Sequence, residues 1–403
     1  MSGATHDGVS AAAHTIDLLD GDFYVSDPHP TYAWMREHAP VYWDAANELW
    51  GISRYDDILE IEKAKDVFIS SDRNKGGYRP NMPADPALIG TDDPLHTERR
   101  KLIARRFTPK AVTAWEAHVR AAVAQLLDAV AERGEAEIVY ELAAPLPAMM
   151  IGDLLGFPRE LWPELMDWSE RTIAGGGGPK YVNEDVMSAA GDFFAACSAL
   201  YDERRGCPVD DVMSVWTQAE VGGEQLDKGT VLSDCLLVLD GGAETTRTVI
   251  ARTLLELAAR PDQWELMRNG ADTTVATEEF IRWVTPVLNM CRVANRDYQL
   301  HGTTIERGQQ VVLMYPSANR DPKHFDDPER FDVTRHPNPQ IAFGFGTHFC
   351  LGAALARLEI RVFFEELVRR VRHFAMKPGA DIVDMPNSFV FGLKRANMDF
   401  DFL

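Results

Sequence analysis

The chain is 403 residues long, 45 % hydrophobic and 26 % charged, with a formal net charge of −21. No low-complexity tract, repeat or Ser/Pro-rich linker divides it, so one large domain is expected over residues 15–403, with ample sequence to bury a core and a cofactor. The acidic balance excludes nucleic acid as a partner, the lack of 18 consecutive apolar residues excludes a membrane-spanning helix, and residues 1–14, polar and small, read as a flexible tail rather than a signal peptide.

Apolar periodicity predicts short helices over 32–38 and 55–65, flanking a strand region at 41–52. Residues 70–91 read as a loop punctuated by Gly76, Gly77, Pro80, Pro83 and Pro86. Helices are predicted over 95–107, 109–133, 161–174 and 183–205. The longest, 228–259, is closed by Pro261. Another helix follows at 274–284, alternation at 285–315 predicts strands, 316–349 is irregular, and a last helix covers about 351–371. The fold class expected from this order is mainly α with small β-sheets.

Five cysteines, Cys197, Cys207, Cys235, Cys291 and Cys350, show no paired spacing for zinc or a disulfide framework, and a reducing compartment is expected. Cys350 stands apart because it ends the glycine-spaced loop Phe343-Gly344-Phe345-Gly346-Thr347-His348-Phe349-Cys350-Leu351-Gly352. Leu351, Leu355, Leu358 and Val362 recur at helical steps, so a helix is expected from about Cys350. A thiolate there meets the positive end of a helix dipole and free N–H groups, a setting that lowers a cysteine pKa. Gly346 and Gly352 leave room for a flat ligand against the backbone. These are the requirements of an axial thiolate on haem iron, although a lone cysteine is more often a buried core residue.

Two further segments bear on function, and the first breaks local rules. Gly241-Gly242-Ala243-Glu244-Thr245 places a glycine pair and an acid inside an apolar helix, costing about 1 kcal/mol for each glycine relative to alanine and more for an unpaired buried charge. One reading is a helix kink packed on a neighbour. The other is room for a small ligand beside a carboxylate and a hydroxyl that relay protons. Glu279 and Arg282, three apart, face each other on one helix surface, which by itself is a common and weak pair.

The pattern F-x-x-G-x-x-x-C-x-G is met at every fixed position, and with it the chain resembles the cytochrome P450 family, in a layout covering almost its whole length. The resemblance implies a single haem-binding domain of the P450 fold, with haem b held by the Cys350 thiolate as the ligand to the metal, and Phe343 and Gly352 shaping the loop around it. It implies that Glu244 and Thr245, matching [AG]-G-x-[DE]-T, form the acid–alcohol pair that delivers protons to dioxygen. Glu279 and Arg282, with Arg330 of Pro328-Glu329-Arg330-Phe331, become a buried structural triad. His96 and Arg100, matching H-x-x-x-R, together with Arg292 and His348, become anchors for the haem propionates.

Pocket residues are harder to read. The candidate substrate-binding residues are Tyr78, Met82, Leu236, Leu239, Gly241, Val287, Met290 and Val390, with Leu88, Leu288 and Phe389 beside them. Gly76-Gly77-Tyr78-Arg79-Pro80, Asn289-Met290-Cys291-Arg292-Val293 and the thiolate loop resemble one bacterial subgroup, the actinobacterial steroid C26/C27-monooxygenases. That resemblance implies oxidation by O2 of the terminal side-chain methyl of cholesterol or cholest-4-en-3-one. A branched fatty acid, a terpenoid or another secondary metabolite is the alternative substrate, and a haem-thiolate peroxygenase the alternative chemistry. No flavin or nicotinamide module is evident, so a separate ferredoxin and ferredoxin reductase are expected as electron donors, in the cytoplasm. Lys101 and Arg105, with Arg357 and Arg361, are the candidate basic docking patch for the ferredoxin.

Overall fold

In the computed structural model, which describes residues 15–72, 74 and 76–403, the long apolar segment is one unbroken helix, Lys228–Ala259. Its 32 residues span about 48 Å at the usual 1.5 Å rise. Asp227 caps it, its side chain accepting from Thr230 N–H at 3.0 Å. Pro261 opens the next helix, Pro261–Arg268, where a missing N–H costs nothing. The expected tail, residues 1–14, lies outside the described residues.

Two apolar cores meet along this helix. Val231, Cys235, Leu239 and Ala243 pack with Leu165 and Trp168 of the Trp162–Ala174 helix and with Ala189, Phe193 and Leu200 of the Glu184–Gly206 helix. Val249, Ile250, Leu254 and Leu257 pack instead with Phe280 and Ile281 of the Thr273–Val284 helix and with Leu358, Phe363 and Phe364 of the Ala353–Arg370 helix. Each such side chain, once fully buried, contributes about 1.5–3 kcal/mol.

Gly242 belongs to this packing. A Cβ there would stand 2.4 Å from Ile151 Cδ1, so the glycine lets the Pro145–Leu155 helix approach the long helix closely. Periodicity gave no sign of that Pro145–Leu155 helix. Its prolines sit in the first turn, where backbone N–H groups have no helical partner, so they start the helix rather than break it.

A five-stranded sheet flanks the helices, in the order Val41–Asp44, Leu49–Ile52, Gln310–Met314, Asn289–Ala294 and Phe68–Ile69. A three-stranded sheet joins Val371–Met376, Asn397–Phe402 and Glu135–Glu137. The helix expected over 109–133 is two helices, Pro109–Thr113 and Glu116–Ala131. The last helix starts at Ala353, three residues after Cys350. Among the described residues no helix is long and apolar enough to cross a membrane.

Candidate active site

The loop before Ala353–Arg370 needs its glycines. Gly344 and Gly346 have φ of +69° and +70°, in the left-handed region that L side chains rarely enter. A Cβ on Gly346 would also stand 3.0 Å from the Glu62 carbonyl oxygen, on the Tyr55–Lys63 helix. Cys350 N–H closes the loop by donating to Phe343 O at 2.9 Å. Cys350, Phe343 and Gly352 then line one internal cavity, and a Cβ added to Gly352 would meet nothing within 4 Å. The sulfur receives the Gly352 and Ala353 N–H groups and the fields of Arg100 and Arg357, as expected at a helix start. Burial nevertheless outweighs them and pushes the thiol up from its ordinary pKa. The helix terminus alone therefore does not make the thiolate, and a coordinated cation is what deprotonates such a sulfur.

Beside the sulfur the cavity wall is basic. His96, Arg100, Arg292 and His348 all line it. The two imidazole rings lie 4.3 Å apart. Arg100 Nη2 donates to Phe349 O at 2.6 Å and Arg292 Nη1 to Cys291 O at 2.8 Å, so both guanidiniums keep further N–H groups. His96 Nδ1 is buried without a partner. Burial first, then the neighbouring arginine charges, push His96 down to about 4 and His348 down to about 2. Two carboxylates stand beside them: Asp92, 4.0 Å from His348 Nε2, and Glu62, which accepts from Tyr315 Oη at 2.8 Å and lies 3.8 Å from Arg292 Nη2; the Glu62 carboxyl is the one the wall buries. Its pKa is raised by burial. Two arginines and two histidines facing one cavity form a basic wall that two carboxylates of a bound group would complement. Glu62 was not anticipated, and its place in a short amphipathic helix carries no distinguishing pattern.

The long helix supplies another wall. Asp234, Leu237, Val238, Gly241, Gly242, Thr245, Thr246 and Val249 line the cavity at three- and four-residue steps, one face of a helix. A Cβ on Gly241 would meet nothing within 4 Å, so the glycine pair divides its work: Gly242 admits a neighbouring helix and Gly241 opens onto the cavity. Thr245 Oγ1 donates to Gly241 O at 2.8 Å. Glu244 lies a helical step away and is absent from the wall. Its Oε1 accepts from Arg247 Nη1 at 2.9 Å, and Arg247 Nη2 stands 3.0 Å from Glu170.

Of the expected substrate contacts, Tyr78, Gly241, Val287, Met290 and Val390 line the cavity, as do Leu88 and Phe389. An isolated bridge between Val287 and Val390 holds two of these side by side. Met82, Leu236 and Leu239 do not line it. Leu239 is core, Leu236 packs against the same core off the cavity stripe, and Met82's carbonyl folds back onto Gly76. Leu288, equally, is core. Arg79 and Asp240, neither anticipated, do line the wall.

Residues 199–402 match the family model described as Cytochrome P450. The chain belongs to the cytochrome P450 family. It is 40 % identical over 389 residues to a steroid C26-monooxygenase of Mycobacterium tuberculosis, covering 95 % of this chain and 96 % of that one. It is 33 % identical to a linalool 8-monooxygenase of Pseudomonas putida, covering 95 % and 98 %. A Mycobacterium marinum cytochrome P450 in complex with pseudoionone superposes with a TM-score of 0.88 at 29 % identity, covering 98 % and all (100 %) of that chain. The P450 fold and a P450 monooxygenase, an oxidoreductase, are thereby established, and the family implies a haem cofactor. The glycine cradle, buried sulfur and unsatisfied basic wall fit that group.

The predicted triad of this P450 is differently composed. Arg282 Nε and Nη2 each donate to a Glu279 carboxylate oxygen at 2.7 Å, with both side chains fully buried. Arg282 also donates to the carbonyls of Asn319, Pro328 and Arg330. Only the backbone of Arg330 takes part. Its side chain is 61 % exposed and pairs loosely with Asp332 at 3.7 Å. The third basic group is Arg335, whose Nε is 3.1 Å from Glu279 Oε2 with 9 % of the side chain exposed. The Asp332–Arg335 turn carries it inward, since Arg335 N–H donates to Asp332 O at 3.0 Å.

The basic patch is thinner than its sequence. Lys101 and Arg105 are exposed, but Arg99 is buried against Asp234 at 2.6 Å. Arg357 is held by Glu278, and Arg361 by Glu116 and Glu365.

Proposed function

We propose that this P450 hydroxylates an unactivated carbon of an elongated apolar molecule, with the terminal side-chain methyl of a steroid such as cholest-4-en-3-one as the first substrate reading. The observation that carries the chemistry is that Cys350 and Thr245 open onto one largely apolar cavity. The steroid reading is supported by the 40 % identity to a steroid C26-monooxygenase. Haem b, when bound, activates dioxygen. Cys350 Sγ would hold its iron, while His96, Arg100, Arg292 and His348 would meet its propionates. Thr245 Oγ1, with its hydrogen-bonded Gly241 carbonyl, holds a proton at the cavity wall. Glu244, behind it, is fixed by Arg247, and the Arg247–Glu170 pair leads from the buried acid toward the part-exposed Glu170. Leu237, Val238, Val287, Met290 and Val390 exclude water and orient the chain of the substrate. Electrons come from a separate ferredoxin and its reductase, with Lys101 and Arg105 as the free part of the docking face.

Titrating the haem-loaded enzyme with cholest-4-en-3-one is expected to give a low-to-high-spin shift, and turnover an alcohol on the terminal methyl. Sterols that give no shift, where fatty acids or terpenoids do, would overturn the steroid reading and leave the P450 assignment intact. Thr245→Ala is expected to keep that spin shift and the first reduction, but to lower the fraction of electrons reaching product by about 10²-fold or more, within the range for removing one positioned proton donor, with peroxide rising correspondingly. Unchanged coupling would show that the proton travels by another route. A second reading, an oxygen-bearing terpenoid, is favoured by one observation, the Arg79 guanidinium in the cavity wall away from the basic groups beside Cys350.

A further inference from the structure

Arg79 and Asp240 are out of place where they stand. The cavity around them is made of Leu88, Ile173, Val287, Phe389 and Val390. Arg79 is carried by the loop after Tyr78, whose carbonyl is pinned by Cys291 N–H at 2.9 Å. Its guanidinium carbon stands 5.0 Å from the Tyr78 ring and 5.8 Å from the Phe389 ring. Its Nε is buried with no hydrogen-bond partner, while the rest of the guanidinium feels Tyr78, Asp85 and Asp240. The acids near it are otherwise engaged. Asp85 accepts from Tyr78 Oη at 2.5 Å, and Asp240 accepts from Thr172 Oγ1 at 2.7 Å. An N–H left unpaired inside a protein is costly, and here it belongs to a residue lining a ligand cavity.

We propose that Arg79, with Asp240 beside it, anchors a neutral oxygen of the substrate, a ketone or hydroxyl, inside the reaction chamber. This rests on the monooxygenase reading above and narrows its substrate to an apolar molecule that already bears oxygen. The unpartnered Nε–H calls for an acceptor oxygen. A carboxylate is disfavoured because Asp240 lines the same wall and Asp85 lies close behind Arg79, whereas a neutral oxygen takes the Nε–H and leaves the acids undisturbed. The anchor lies deep. Asp240 precedes Thr245 by five residues, about 7.5 Å along the helix axis. A sterol entering tail-first would lay plain alkyl chain against this charged pair and carry its ring oxygen far beyond it. A shorter oxygenated molecule, of terpenoid size, satisfies both the anchor and the apolar wall.

Spin-shift titrations of the haem-loaded enzyme test this without any variant. Pseudoionone, the hydrocarbon of the same skeleton and the carboxylic acid of the same skeleton are the probes. The ketone is expected to bind about ten- to a hundredfold tighter than the hydrocarbon, the usual worth of a hydrogen bond to a charged group. Arg79→Leu is expected to erase that preference, bringing ketone and hydrocarbon to affinities within about twofold of each other. Equal affinity for ketone and hydrocarbon in the unmodified enzyme overturns the anchor, as does tightest binding of the acid, which would make the site anionic. If cholest-4-en-3-one shifts the spin state equally in Arg79→Leu and the unmodified enzyme while the ketone shows no preference, the anchor fails and the steroid reading stands.

Discussion

Cys350→His should move the Soret band of the reduced carbon-monoxide adduct to the shorter wavelength of imidazole ligation and abolish oxygen-dependent turnover. The structure gives the reason and adds to it. Cys350 is the cavity's cysteine, with two backbone N–H groups at its sulfur and, at Gly352, a backbone that leaves space. Burial favours the neutral thiol, and a bound metal cation compensates the thiolate. The same arrangement predicts that haem release is coupled to proton uptake at this sulfur. Imidazole ligation removes the thiolate's electron density, which favours O–O cleavage. A band unmoved in the variant would remove Cys350 as the ligand, whatever the family pattern says.

Much of this site was legible because its signals are local. The thiolate loop is read from glycines that the backbone needs, at Gly344 and Gly346 in positive φ and at Gly352 facing open space. His96 and Arg100 share a face because they are four apart on a helix, and both do reach the cavity. What failed was long-range or depended on phase. Leu236 and Leu239 are as apolar as Leu237 and Val238, and only the rotation of the helix, fixed by its neighbours, decides which pair sees the cavity. Arg335 replaces Arg330 because a turn, invisible to a linear motif, brings the later arginine to Glu279. Asp240 was visible as an acid in an apolar helix, yet the adjacent glycine pair drew the functional reading downstream to Glu244, which proves to be ion-paired behind the wall. Burial there, opposed in part by Thr172 and Arg79, pushes Asp240 up to about 7.

The composition of the buried triad can be settled by ranking three single substitutions. Arg282→Leu leaves Glu279 fully buried and stripped of two 2.7 Å hydrogen bonds, and it takes the Arg282 donor from the carbonyls of Asn319 and Pro328, while the Arg330 carbonyl keeps Arg335 Nη2 at 2.8 Å. Removing one partner of such a pair costs roughly 3–5 kcal/mol, a large share of the 5–15 kcal/mol that a domain possesses. Arg335→Leu removes a charge contact to Glu279 that is close but not aligned as a hydrogen bond, together with donors to the carbonyls of Asp326, Asp327 and Arg330, but leaves the aligned Glu279–Arg282 pair intact, so its cost should be intermediate. Arg330→Leu removes an exposed side chain whose backbone carbonyl, the part that matters, is retained. It should stay within about 0.5 kcal/mol. Denaturant midpoints and haem retention, measured together on the loaded protein, give the order. A large loss in Arg330→Leu with little in Arg335→Leu would restore the motif's assignment against the geometry. The double variant Glu279→Gln with Arg282→Met sharpens the point. Because most of the single-variant cost is an uncompensated buried charge, removing both charges should recover part of the stability lost by removing one.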